Sequence, residues 1–303
     1  LILIPFFPQF HPVHKIILEC HCDGYLVNNW DSIPFAAIAA TKNNGKLVLD
    51  IHESYDSWYW GITSEIIKYV FRKYSSYVHA STTVVKQLAE QHQIFGLTPI
   101  VLLNAPAIPN LSFSYHPVNP EKIHLIHHGI ASHTRRPDLM IKTIAECDKR
   151  YDLTLVFINP SSKYVAKLKK LAAQLAPGRV TFLQPFSPSE IVQKISSYDI
   201  GFYPIPPVNY NCLISLPNKF FEFIAAGLAV CIGPSPSMSE IVNQYHCGVV
   251  ASSFEPSNIA HRLNQTSDEQ WDEMKRASLR AARVLNADNE MEKVITIYKE
   301  LFS

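Results

Sequence analysis

One carboxylate, Glu222, stands inside the otherwise apolar stretch "SLPNKFFEFIAAGLAVCIG" (215–233). Pro217 and Asn218 supply a helix start, Phe220, Phe223 and Ile224 recur at the spacing of one buried face, and Gly227 supplies the stop before a buried strand. A carboxylate in such a helix is costly to bury unless something hydrogen-bonds it; the alternative is a glutamate that faces solvent. A second polar group of interest is Asp50-Ile51-His52-Glu53, where an apolar strand runs into acids and a histidine followed by aromatics. That places polar side chains at the carboxyl edge of a strand, where open α/β sheets bind ligands. The third is Arg135-Arg136 directly before a helix start at Pro137, which by itself reads as a surface pair.

Other chemistries lack their signatures. None of the 10 glycines falls in a dinucleotide fingerprint, a Walker-type loop or a nucleophile elbow. There is no H-E-x-x-H, no C-x-x-C and no D-x-D, so no metal site is expected. Cys20-His21-Cys22 beside Asp23 cannot close a tetrahedral site without a second half-site downstream, and a packing role is expected for it.

The elements that would position these groups alternate between short β-rich runs and helix-period segments, the pattern of parallel βα units. In the first third, strands are expected at Tyr25–Asn28, Lys46–Ile51, Tyr77–Ala80 and Pro99–Leu103, with a helical stripe at Ile66, Ile67, Val70, Phe71 and Tyr74. Residues 104–120 carry four prolines and no periodicity, and read as an interdomain linker. Beyond it come strand Lys122–His127, a helix from about Pro137, strand Leu153–Ile158, and a helix with Val165, Leu168, Ala172 and Leu175 inward and Lys163, Lys167, Lys170 and Gln174 in solvent. Then follow strand Val180–Leu183, helix Ser189–Ser197, strand Ile200–Tyr203, helix Asn218–Ala226, strand Leu228–Ile232, helix Ser237–Tyr245 and strand Gly248–Ala251. A last helix, Ala287–Phe302, carries Met291, Val294, Ile295, Tyr298 and Phe302 on one stripe and must dock away from the second sheet.

Two α/β, doubly wound parallel-sheet domains of Rossmann type follow from this order, the first of them incomplete. The expected boundaries are 1–110, 111–285, and a C-terminal helix at 286–303 that packs back on the first domain.

Composition agrees with a folded protein: 303 residues, 47% hydrophobic and 17% charged. Lys plus Arg (27) balances Asp plus Glu (26), and no basic run interleaves with aromatics, so nucleic acid is not an expected partner. Six cysteines in a chain this long read as reduced thiols in a cytoplasmic setting. No apolar run reaches the roughly 18 residues of a membrane span. The opening "LILIPFF" has no initiator Met, basic region or cleavage site; it reads as a chain entered midway and not as a signal peptide.

The 215–233 segment resembles the donor-site signature of GT-B glycosyltransferases of family 4, the group 1 class, many of which carry "P-N-K-x-x-E-x-x-A-x-G-x-x-V". The resemblance extends from about Asp23 onward. It implies that Glu222 accepts from the ribose hydroxyls of a nucleoside-diphosphate sugar, and that Pro217, Asn218 and Lys219 sit at a helix start near the diphosphate. "IHLIHHGIASHTRRPDLMI" (123–141) resembles the first strand and loop of the nucleotide domain, with Gly129 allowing close approach and Arg135 or Arg136 meeting phosphate. "RVTFLQPFSPSEIVQKISSYDIGFYPI" (179–205) resembles the stretch that holds the base, near Gln184–Phe186. "MSEIVNQYHCGVVA" (238–251) resembles the segment after the donor helix. "GYLVNNWDSIPFAAIAA" and "KLVLDIHESYDSW" resemble strand ends that face the cleft, which makes His52 and Glu53 the catalytic candidates, in contact with acceptor or sugar.

Two departures stand out. Retaining members often carry a second glutamate eight residues before the ribose one, where this chain has Ile214. The class also opens with a strand and glycine-rich loop ahead of anything present here. The resemblance implies metal-independent sugar transfer to an acceptor hydroxyl, with no cofactor beyond the sugar-nucleotide co-substrate. A glycan or lipid-linked acceptor, a role in polysaccharide assembly and peripheral attachment at the inner face of a membrane are compatible with it. The rival expectations are a nucleotide-sugar epimerase or phosphorylase on the same architecture and a non-catalytic scaffold.

Overall fold

The computed structural model describes residues 11–58, 61–107 and 115–303. The "LILIPFF" opening and the middle of the proline-rich linker, residues 108–114, lie outside the described residues. Contacts divide the chain into two compact units: Leu1–Leu103 with Asn209–Asn211 and Met291–Ser303, and Asn104–Val208 with Cys212–Glu290.

The first unit holds a parallel sheet of β1 (Gly24–Val27), β2 (Lys46–Ile51), β3 (Ala80–Thr83) and β4 (Ile100–Val101), in that order. β2 is covered on both faces, with Leu47, Val48, Leu49 and Ile51 all buried, which is why it reads as a near-continuous apolar run. The helix Ile33–Asn43 uses alanines to lie close to the sheet, and it stops where Asn44 turns left-handed (φ 54°). The third strand differs from expectation. Tyr77 ends a short 3-10 turn, Ser75–Tyr77, and the strand begins at Ala80. Its buried residues are Ser81, Thr82 and Thr83, polar side chains that an apolar count passes over. Thr83 Oγ1 donates to Ile51 O at 2.8 Å and Thr82 Oγ1 to Asp50 Oδ1 at 2.7 Å, which satisfies them inside.

The second unit is a six-stranded parallel sheet built from β5 (Ile123–Gly129), β6 (Tyr151–Phe157), β7 (Val180–Leu183), β8 (Ile200–Tyr203), β9 (Ala229–Ile232) and β10 (Gly248–Val250). The spatial order is β10-β9-β8-β5-β6-β7. The chain leaves β5 in one direction through β6 and β7, then returns on the other side through β8, β9 and β10. The carboxyl ends of β5 and β8 therefore flank the switch point, where such sheets open a crevice. The helix Asn218–Ala225 packs across them with Phe220, Phe221, Phe223 and Ile224 fully buried, each contributing about 2 kcal/mol of burial. It comes close because β8 carries Gly201, where a Cβ would meet Phe223 Cγ at 2.2 Å.

Several details correct the sequence reading. The segment expected as helix Ser189–Ser197 is a 3-10 turn, Pro188–Glu190, followed by the short helix Ile191–Ile195. Leu175 is exposed although Val165, Leu168 and Ala172 of its helix are buried. Two helices, Pro256–Asn264 and Asp268–Ala282, are not among the elements read from the sequence. The second hides its period because two of its buried positions are polar: Lys275 Nζ pairs with Asp199 Oδ1 at 2.6 Å, and Ser278 Oγ donates to Leu228 O at 2.6 Å. In the last helix, Ala287–Phe302, Ile297 is buried while Met291 and Ile295 are exposed. Buried Glu290 and Ile297 place the docked face about one residue toward the N-terminus of the expected stripe. Cys20 and Cys22 are exposed rather than packed, with their Sγ atoms 2.9 Å apart.

Candidate functional site

β5 runs through two buried histidines, His127 and His128, to Gly129, whose φ of 136° no other residue adopts comfortably. The loop beyond is pinned by Asn159, which accepts from Ala131 N and donates to Ala131 O, both at 3.0 Å. Successive strand residues point to opposite faces. His127 Nδ1 lies 2.8 Å from Phe202 O, and because a carbonyl only accepts, the proton sits on Nδ1. Burial, together with the charge of Lys219, holds this ring well below the ordinary histidine range, so it is neutral.

His128 faces the helix Asn218–Ala225. Its ring meets the Phe223 edge at 5.3 Å and 81°, and its Nε2 lies 3.2 Å from Glu222 Oε2. Glu222 is not a solvent-facing glutamate: its side chain keeps only 18% of its exposure. Burial raises its pKa, and Lys219 draws it partly back. Lys219, one turn earlier, is buried, with Nζ 5.4 Å from the centre of the Tyr203 ring and packed against the bare Cα of Gly129. Burial pushes its amine down to about 8, with Arg135 adding to the effect and Glu222 opposing it. A dehydrated ammonium with a second cation beside it is poised to take an anion. Pro217, a half-buried N-cap, offers no side-chain cap, and Asn218 is exposed at the positive end of this helix.

The two arginines separate. Arg135 adds positive charge felt by Lys219, His127 and Tyr203. Arg136 forks onto Asp138, Nε to Oδ1 and Nη2 to Oδ2 at 2.9 Å each, from a left-handed backbone (φ 46°) at the start of the helix Pro137–Glu146. Its guanidinium is already engaged. Gln184 is exposed and Phe186 half-buried in the loop after β7, on the far side of β6 from Gly129. Ile214 is buried, its carbonyl taken by Ser237 Oγ at 2.6 Å, so its position is a packing one.

In the first unit, His52 follows the carboxyl end of β2, with Nε2 2.7 Å from Asp50 Oδ2. The Asp50 hydrogen bond raises the His52 pKa against the effect of burial. Burial works to raise the Asp50 pKa, but the bonds from His52 and Thr82 outweigh it and leave it lowered. Glu53 is exposed beside them.

The structure thus gathers Gly129, Arg135, Lys219 and Glu222 around the ends of β5 and β8. Sequence reasoning missed His127, His128, Tyr203 and Asn159. The signal was present in the double histidine before Gly129, since two consecutive histidines in a buried strand need polar partners. Among the described residues, no group of three or more His, Cys, Asp or Glu side chains is placed to hold a metal ion. Nor is any helix long and apolar enough to cross a membrane.

The family described as Glycosyl transferases group 1 matches residues 112–284. HepE of Anabaena, solved in complex with UDP, superposes with a TM-score of 0.76 at 14% identity, covering 98% of this chain and 84% of its own. A glycosyltransferase from Rickettsia africae ESF-5 gives a TM-score of 0.72 at 15% identity, with coverage of 99% and 82%. Sucrose-phosphate synthase from Thermosynechococcus elongatus gives 0.69 at 14% identity, with coverage of 99% and 79%. No curated protein matches the sequence. At these identities the likeness to the solved structures is one of fold.

Proposed function

The chain belongs to the group 1 glycosyl transferases and has the GT-B fold, and from that premise we infer that it moves a sugar from a nucleoside-diphosphate sugar to an acceptor hydroxyl without a metal ion. One observation carries this reading: a half-buried carboxylate, Glu222, lies one helical turn from a dehydrated ammonium, Lys219, at the switch point of the nucleotide-type sheet. A ribose diol donates two hydrogen bonds and suits the carboxylate; a diphosphate suits Lys219, Arg135 and the positive end of the helix that starts at Asn218. The same groups stabilise the leaving diphosphate as its charge grows, which is where a transferase gains rate. His52, oriented by Asp50, and Glu53 are the proposed contacts to sugar or acceptor.

Titration calorimetry tests it. UDP is the first probe, because HepE is a UDP complex; ADP, GDP and CDP follow. Glu222→Ala is expected to weaken the tightest of them by roughly 10- to 100-fold while the circular-dichroism spectrum and melting temperature stay those of the original chain. Unchanged affinity would remove Glu222 from the site.

A further inference from the structure

His128 is 7% exposed, and its Nε2 sits 3.2 Å from Glu222 Oε2 without forming an aligned hydrogen bond to any described protein group. A buried imidazole nitrogen left in that condition is costly unless it serves a neighbour. We propose that His128 is a positioning residue: its Nε2–H holds Oε2 of Glu222 on the sheet side, so that the remaining lone pairs of the carboxylate face a ribose diol. The assignment rests on the reading of Glu222 given above.

The proton belongs on Nε2, because a lone pair there would face the carboxylate oxygen at 3.2 Å. The ring is neutral: burial, with Lys219 adding to it, pushes its pKa down to about 3. It therefore donates without cancelling the charge that makes Glu222 a good acceptor. Its torsion is held by the edge contact with Phe223, which is itself fully buried. By contrast, the terminal torsion of a glutamate has a broad two-fold well, and a diol contacts both oxygens only in one narrow range of that well. Holding one oxygen beforehand removes an ordering cost from binding. Alignment of the contact is expected to tighten when the diol fixes the carboxylate plane.

The experiment compares ribose with deoxyribose. The tightest ribonucleoside diphosphate and its 2′-deoxy analogue are titrated into the full chain, into His128→Phe, which keeps a ring against Phe223 but has no donor, and into His128→Gln, which restores an N–H. The original chain is expected to prefer the ribonucleotide. His128→Phe should lose roughly 10- to 100-fold in ribonucleotide affinity and clearly less in deoxynucleotide affinity, since that ligand keeps only its 3′-hydroxyl for Glu222, with His128→Gln recovering part of the loss. A preference that survives intact in His128→Phe overturns the positioning role and leaves Glu222 standing. An equal loss for both nucleotides reduces His128 to packing and overturns it as well. Absence of any ribose preference in the original chain, or of any nucleotide binding, removes the reading of Glu222 and this inference with it.

Discussion

Lys219 Nζ rests where the side chain of residue 129 would be: a Cβ built on Gly129 falls 2.5 Å from it. The end of β5 and the first turn of the helix Asn218–Ala225 thus share one small space, which glycine leaves to the amine. Gly129→Ala would displace the flexible end of Lys219 and force alanine to φ 136°. The expected cost is about 1–3 kcal/mol of stability, together with weaker nucleotide-diphosphate binding. Chemical denaturation and calorimetry on one variant separate the two, and unchanged nucleotide affinity would place the phosphates elsewhere.

Lys219→Met should stabilise the free chain at neutral pH and abolish tight binding. The amine falls from 10.5 to about 8 on folding. Between those values the unfolded chain holds more protons than the folded one, so stability rises with pH through the window and the penalty is fully present below it. That penalty is on the order of 3 kcal/mol. A melting temperature that does not rise at pH 7 in the methionine variant would contradict it.

Nucleotide affinity should follow a bell against pH. Below neutrality it falls as Glu222 takes up a proton, beginning above the ordinary carboxylate value of 4.5 because burial raises that pKa. Above about 8 it falls as Lys219 loses one. His128, at about 3, stays neutral across the range. Glu222→Gln should erase the acid limb except for the part due to the ligand's own terminal phosphate, which titrates near pH 6. Lys219→Met, read on the weak binding that remains at high ligand concentration, should lack the alkaline limb. Persistence of both limbs in both variants would refute the assignment.

Gly201→Ala tests how the site is held. The added Cβ would meet the Phe223 ring at 2.2 Å and lift the helix that carries Lys219 and Glu222 from β8. Overpacking of this kind costs about 1–3 kcal/mol or more. A thermal melt should show it, with nucleotide affinity falling in parallel.

His52→Ala should lower kcat by roughly 100- to 10,000-fold with nucleotide affinity unchanged, because His52 and Asp50 belong to the other unit. Equal kcat in a sugar-transfer assay would take His52 out of the reaction.

Periodicity made much of the fold legible. β2, β7 and β8 lie where alternation and apolar runs place them, and the helix Asn218–Ala225 begins and ends at its Pro-Asn and Ala-Gly signals. Where polar side chains took core positions the reading faltered, as in β3, with its serine and two threonines, and in Asp268–Ala282, with Lys275 and Ser278 inside. Local pattern rules count apolar residues and cannot see a hydrogen bond made to a residue far along the chain.

The sequence by itself determined the alternation of strands and helices and the signature around Glu222, because each depends on residues a few positions apart. Tertiary structure alone decided how two adjacent arginines divide, since Arg136 is taken by Asp138 while the charge of Arg135 is felt at the Lys219 amine. It also decided that His128, 94 positions from Glu222 in the chain (222 less 128), stands against it. Charge, burial and proton position at a site are set by neighbours brought together across a sheet, and only the folded chain says which neighbours those are.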